Sequence, residues 1–166
     1  MEQRCAQGGY GRLQPLLPAI YGVLSVSPSV EDHHELERIL NHAARAAYAG
    51  MVWQLARAPS VASAMHALTQ AKYAAVLCER DLGSGSWKDL IEVTQRLAIP
   101  PSLIVTSWHA DEYLWVEALN LGAYDVVAKP YAPAEVIRVV NLACLRWRRP
   151  AQDVGRPPAG GIACVT

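Results

Sequence analysis

The chain has 166 residues, 52 % of them hydrophobic, and its 15 basic residues balance 15 acidic ones. That length fits one domain with short extensions and an ample core. Balanced charge argues against a non-specific nucleic-acid binder, which would be basic, and no apolar run approaches the about 20 residues of a membrane span.

No charged-then-apolar leader opens the chain, so a cytoplasmic location is expected. The four cysteines, Cys5, Cys78, Cys144 and Cys164, are widely spaced and contain no Cys-x-x-Cys pair. They read as reduced thiols, with Cys78 and Cys144 as small core residues, and not as a zinc or redox site.

In chain order, residues 1–19 carry Gly and Pro without periodicity and are expected to form an irregular extension. Tyr21 to Val26 is strand-like. Ser29 then caps a helix, with Asp32 three residues on as a partial capping box. Leu36, Ile39, Leu40, Ala43 and Ala47 give that helix one apolar face. Gly50 ends it, and Met51 to Ala56 reads as a second strand. Ser60 caps a second helix, with Val61, Ala64, Met65 and Leu68 inward. Ala74 to Cys78 is an apolar strand ending in Glu79, Arg80 and Asp81. A Gly/Ser loop follows, then a helix from Trp87 to Leu97 that Pro100 and Pro101 stop. Ser102 to Ser107 is a buried-type parallel strand. Asp111 caps a fourth helix ending at Gly122, with Leu114, Ala118 and Leu121 as its inner stripe. Tyr124 to Ala128 is the fifth strand, and Pro133 opens a helix to about Trp147. Residues 149–166 are rich in Pro, Gly and Arg and are expected to be disordered.

Strands alternate with helices at spacings that suit right-handed crossovers. The expected fold is an α/β, doubly wound, five-stranded parallel sheet of flavodoxin-like order 2-1-3-4-5 over residues 20–148. Ligands in such sheets sit at the carboxyl ends of the strands. Four positions converge there: Ser27/Pro28, Glu79, Ser107 and Lys129.

That set, with the run Ile104-Val105-Thr106-Ser107 and the landmarks Ala118-Leu119, Gly122-Ala123 and Lys129-Pro130, resembles the CheY-like receiver domain of bacterial response regulators. Ser107 and Lys129 stand 22 residues apart, which matches the family's hydroxyl-to-lysine spacing. The resemblance implies two-component (phosphorelay) signal transduction through protein contact and no enzyme activity of its own. It also implies the chemistry of the site. An aspartate takes a phosphoryl group, a divalent ion held by two acids neutralises its oxygens, and a hydroxyl and a lysine bind it.

The sequence departs from that pattern at several points. The acidic pair is replaced by Ser27 and Pro28. Glu79 stands at the phosphoacceptor position, and its extra methylene moves the carboxylate by about 1 Å, enough to spoil in-line geometry. Trp108 is bulky enough to cover the pocket, and Val126 stands where the family has its switch aromatic. Mg²⁺ binding is therefore expected to be lost or weak, with no other cofactor. Glu79 has three readings: a fixed salt bridge with Lys129 that partly imitates a phosphorylated aspartate, a structural acid, or a surviving acceptor. The preferred picture is a stand-alone degenerate (pseudo-receiver) variant in which Glu79, Ser107 and Lys129 hold one conformation. Its rival is a working acceptor using Glu79 or Asp81 with a rebuilt metal site. A third reading is a small-ligand flavodoxin-like module, which the missing phosphate loop disfavours.

Asp81 lies beyond the strand end and reads as a solvated loop acid. Glu31 and Asp32 are accounted for by the helix terminus they sit on. His33 and His34 are expected on a solvated helix face, and His109 in a surface loop. Tyr113 and Trp115 point to a contact face built from the fourth helix, fifth strand and fifth helix. It would serve a homodimer or a protein partner such as a histidine kinase or a downstream signalling protein, with no nucleic acid and no membrane involved.

Overall fold

The computed structural model describes residues 19–46 and 50–148. The elements run β1 (Ala19–Val26), α1 (Val30–Arg45), β2 (Met51–Ala58), α2 (Val61–Gln70), β3 (Ala75–Glu79), α3 (Trp87–Gln95), β4 (Ser102–Ser107), α4 (Glu112–Leu121), β5 (Asp125–Ala128) and α5 (Pro133–Arg148). The sheet is parallel throughout, in the order β2-β1-β3-β4-β5, as the sequence predicts. The tail expected over 149–166 and the extension expected over 1–19 lie outside the described residues, except Ala19. That residue opens β1, because β1 and β2 pair residue for residue from Ala19↔Met51 to Val26↔Ala58. The same pairing carries β2 two residues past its expected end.

Side chains alternate strictly across the sheet. Tyr21, Val23, Ala75, Leu77, Ile104 and Val127 pack with Leu36, Ile39, Leu40 and the α5 stripe Val136, Val139, Val140 and Ala143. Leu24, Val26, Val76, Cys78, Leu103, Val105 and Val126 pack on the other face with α2, α3 and α4. Cys78 and Cys144 are buried free thiols. Burial raises both pKa values, that of Cys144 to about 11, so both are inert core residues.

Local chemistry fixes the helix ends. Ser29, Ser60, Ser86 and Asp111 each accept a backbone N–H in the first turn of the helix they precede. Gly122 closes α4 in the left-handed region at φ 101°. Gly22 is required by close approach, since a Cβ there would meet the Lys72 carbonyl oxygen at 2.9 Å. The inner stripe of α4 is narrower than the sequence suggests: Leu114 and Ala118 are buried, but Leu121 is exposed. Leu121 ends the helix beside Gly122, where its carbonyl accepts from the Gln95 side chain at 3.0 Å.

Leu24 is fully buried between β1 and the α2/α3 layer. Leu24→Ala is expected to cost about 2–5 kcal/mol, read as a lowered urea midpoint at unchanged slope.

Candidate functional site

β1 ends at Val26, β3 at Glu79, β4 at Ser107 and β5 at Ala128, so Ser27, Glu79, Ser107 and Lys129 gather along one sheet edge. All four are buried. The Lys129 ammonium pairs with Glu79 Oε2 and, at 2.5 Å, with Asp32 Oδ2. The Lys129 side chain is only 3 % exposed. A buried charge of this kind is tolerable only when paired and hydrogen-bonded. Each carboxylate has a second donor: Ser27 Oγ donates to Asp32 Oδ2 at 2.6 Å, and the Asp81 N–H donates to Glu79 Oε1 at 3.2 Å. Two rings flank the lysine, with Nζ lying 5.9 Å from the Trp108 ring centroid and 5.7 Å from that of Tyr131, within cation–π range. Burial raises the Tyr131 phenol pKa; the Thr106 hydroxyl beside it works the other way, and the carboxylates of Asp32 and Glu79 reinforce the rise.

The structure thus brings Glu79 and Lys129 together as predicted, but the third member is Asp32, not the Ser107 hydroxyl. Ser107 Oγ accepts from the His109 N–H at 3.0 Å, and only its backbone carbonyl reaches Lys129, accepting the Lys129 N–H at 2.8 Å. Strand parity gives the reason. Ser107 shares the side of Leu103 and Val105, whereas Glu79 pairs with Thr106 on the α1/α5 side. Asp32 is more than the helix-terminus acid expected: its N–H completes the Ser29 cap while its carboxylate turns into the site. Asp81 is exposed and contributes only its N–H. Trp108 borders the lysine but is itself 64 % exposed.

His33 also departs from expectation. It is buried, 5 % exposed, with Nδ1 2.8 Å from the buried Ser25 hydroxyl, whereas His34 is exposed as expected. Burial holds the His33 pKa below its ordinary value, a backbone hydrogen bond at Ser27 opposes this, and the Arg57 charge adds to the lowering. A signal for both residues was present in the sequence. Asp32 and His33 precede Leu36 by four and three residues, so both extend the inner stripe of α1 towards the strand ends. Tyr113, at 86 % exposure, and Trp115 face solvent on α4, with Val116 and Leu119 beside them.

A divalent ion of the kind the family uses needs several oxygen ligands. The two positions after β1 hold Ser27 and Pro28, and the space between the Asp32 and Glu79 carboxylates holds the lysine ammonium. Among the described residues no three His, Cys, Asp or Glu converge as a ligand set. These residues do not fit the ion. No helix among them is long and apolar enough to cross a membrane.

The response regulator receiver domain family matches residues 29–141, about two thirds of the chain. The chain belongs to this family, whose members act in two-component signalling. Solved structures agree on the fold. The receiver domain of the Francisella response regulator 1452 is 16 % identical, with a TM-score of 0.65, covering 76 % of this chain and 98 % of that one. The receiver domain of NtrX from Brucella abortus is 21 % identical, with a TM-score of 0.63 and coverage of 74 % and 98 %. The beryllofluoride-activated NtrC4 receiver domain dimer is 17 % identical, with a TM-score of 0.66 and coverage of 76 % and 98 %. Comparison with curated proteins gives no match.

Two outcomes follow from the geometry. Lys129→Met leaves the buried Glu79 and the part-buried Asp32 without their cation and is expected to cost about 3–5 kcal/mol, measured by urea unfolding. For His33, the lowered folded pKa means that the unfolded chain takes up the proton first. The contribution of neutral His33 is complete above the unfolded value of 6.5 and is lost as pH falls from there through the folded pKa. Stability should rise with pH across that window, and His33→Asn should flatten the slope in a series of unfolding curves.

Proposed function

We propose that this receiver signals by protein–protein contact, with its phosphorylation chemistry lost or strongly weakened, as a pseudo-receiver. One observation carries the reading: the lysine that would meet a phosphoryl group is already bound by two of the chain's own carboxylates, Glu79 and Asp32. Glu79 then partly imitates the charge of a phosphorylated aspartate, Mg²⁺ binds weakly or not at all, and the protein is a signalling module of the cytoplasm with no catalytic activity. Its contact surface is the α4-β5-α5 face. Tyr113, Trp115, Val116 and Leu119 on α4 and Leu142 and Leu145 on α5 are exposed, and apolar residues grouped on one face mark interaction sites. That face suits a homodimer or a protein partner such as a histidine kinase or a downstream signalling protein, not nucleic acid or a membrane.

Adding Mg²⁺ and beryllofluoride should leave the backbone amide spectrum unchanged. Saturable shifts centred on Glu79 and Ser107 would overturn the reading in favour of a working acceptor with a rebuilt metal site. Acid-labile phosphate lost in Glu79→Gln or Asp81→Asn would name the acceptor. For the surface, Tyr113→Asp is expected to leave the melting temperature unchanged and to weaken self-association by roughly tenfold or more, measured by sedimentation over a concentration series.

A further inference from the structure

The ion-pair cluster depends on where the first turn of α1 sits, because Asp32 is its only member carried by a helix. Two adjacent ties hold that turn to β1. Ser27 Oγ bonds the Asp32 carboxylate, and Ser25 Oγ bonds His33 Nδ1 at 2.8 Å. The second tie is dry: Ser25 is 1 % exposed and His33 5 %. An apolar side chain would fill this end of the α1 stripe without needing any partner. A polar ring nitrogen costs desolvation when buried unless it is satisfied, and Nδ1 has its partner in Ser25. Nδ1 lies 2.8 Å from the Ser25 hydroxyl, a bond between two buried residues.

We infer that His33 is a positioning residue: through its buried bond to Ser25 it fixes the α1 turn against β1 so that Asp32 meets Lys129. The Ser27 hydroxyl cannot do this alone. Its single bond to Asp32 turns about the Ser27 side chain, whereas the Ser25–His33 bond fixes the next residue of the same helical turn. The contacts run from Ser25 to His33, along the α1 turn to Asp32, and on to Lys129 and Glu79. The inference deepens the proposed reading and rests on it to the extent that the lysine cluster is the working state of the site.

The readout is hydrogen exchange of the Lys129 ammonium in the full chain, followed by proton–nitrogen spectra of lysine side chains. Wild-type protons should exchange slowly, because the group is buried and bound twice. Ser25→Ala and His33→Leu should each speed exchange by roughly tenfold or more, while unfolding midpoints show that the fold persists. His33→Asn places an amide oxygen near the Nδ1 position and should restore slow exchange. Wild-type exchange in a folded Ser25→Ala would overturn the inference, as would failure of His33→Asn to differ from His33→Leu. Should His33→Leu not fold, Ser25→Ala decides alone. The beryllofluoride titration of the wild type is a separate arm: a response there overturns the proposed function, while the exchange rates still report on His33.

Discussion

A lysine ammonium cut off from water must find its counter-charge within the protein, and Lys129 finds two. Glu79 comes from the end of β3 and Asp32 from the first turn of α1, so the lysine joins three separate parts of the chain. The cluster holds two carboxylates and one ammonium and leaves one net negative charge. The Ser27 hydroxyl and the Asp81 N–H help to disperse it. The low dielectric that makes such a cluster costly to break also makes it hard to rearrange. An incoming cation would have to displace a bound ammonium, and an incoming anion would have to displace a carboxylate.

This constraint explains features that look unrelated in sequence. The serine in place of an acid after β1 is where a hydroxyl is needed to hold Asp32. The longer side chain of Glu79 is suited to reaching across to a lysine, whatever it loses in in-line geometry. Trp108 and Tyr131 stand at the lysine with ring faces that tolerate a cation. Under the proposed reading these are coordinated substitutions around one buried charge.

The fold was legible because its signals are local and repeated. Apolar strands, serine and aspartate caps and the Gly122 stop fall within a residue or two of the observed element ends. The Glu79–Lys129 pair was legible from strand order alone. Asp32 and His33 were not recognised, because a first-turn acid and an adjacent histidine pair each have an adequate surface explanation. The periodicity that placed Leu36 and Leu40 inward applies equally to residues 32 and 33, but polarity masked it. Its place at a strand end and its spacing from Lys129 put Ser107 at the cluster, but neither says on which face of the strand the hydroxyl emerges. Counting in twos from Leu103 places it on the α2–α4 side.

That placement bears on how the site meets the surface. The Ser107 hydroxyl is bonded to the His109 N–H at the entrance to the loop leading into α4, and Asp111 then caps the helix. Lys88 pairs with Glu117 at the middle of α4, and Gln95 bonds the Leu121 carbonyl at its C-terminus, so two exposed contacts also join α4 to α3. α4 buries only Leu114 and Ala118 and turns Tyr113, Trp115, Val116 and Leu119 outward. The ties to α3 lie in solvent and are individually weak, but they favour one setting of α4, and a preorganised surface loses less ordering entropy on binding. In the proposed reading the partner meets a face already set, and regulation then has to act on the supply of the protein or its partner, or on the α1 turn that keeps Asp32 against Lys129.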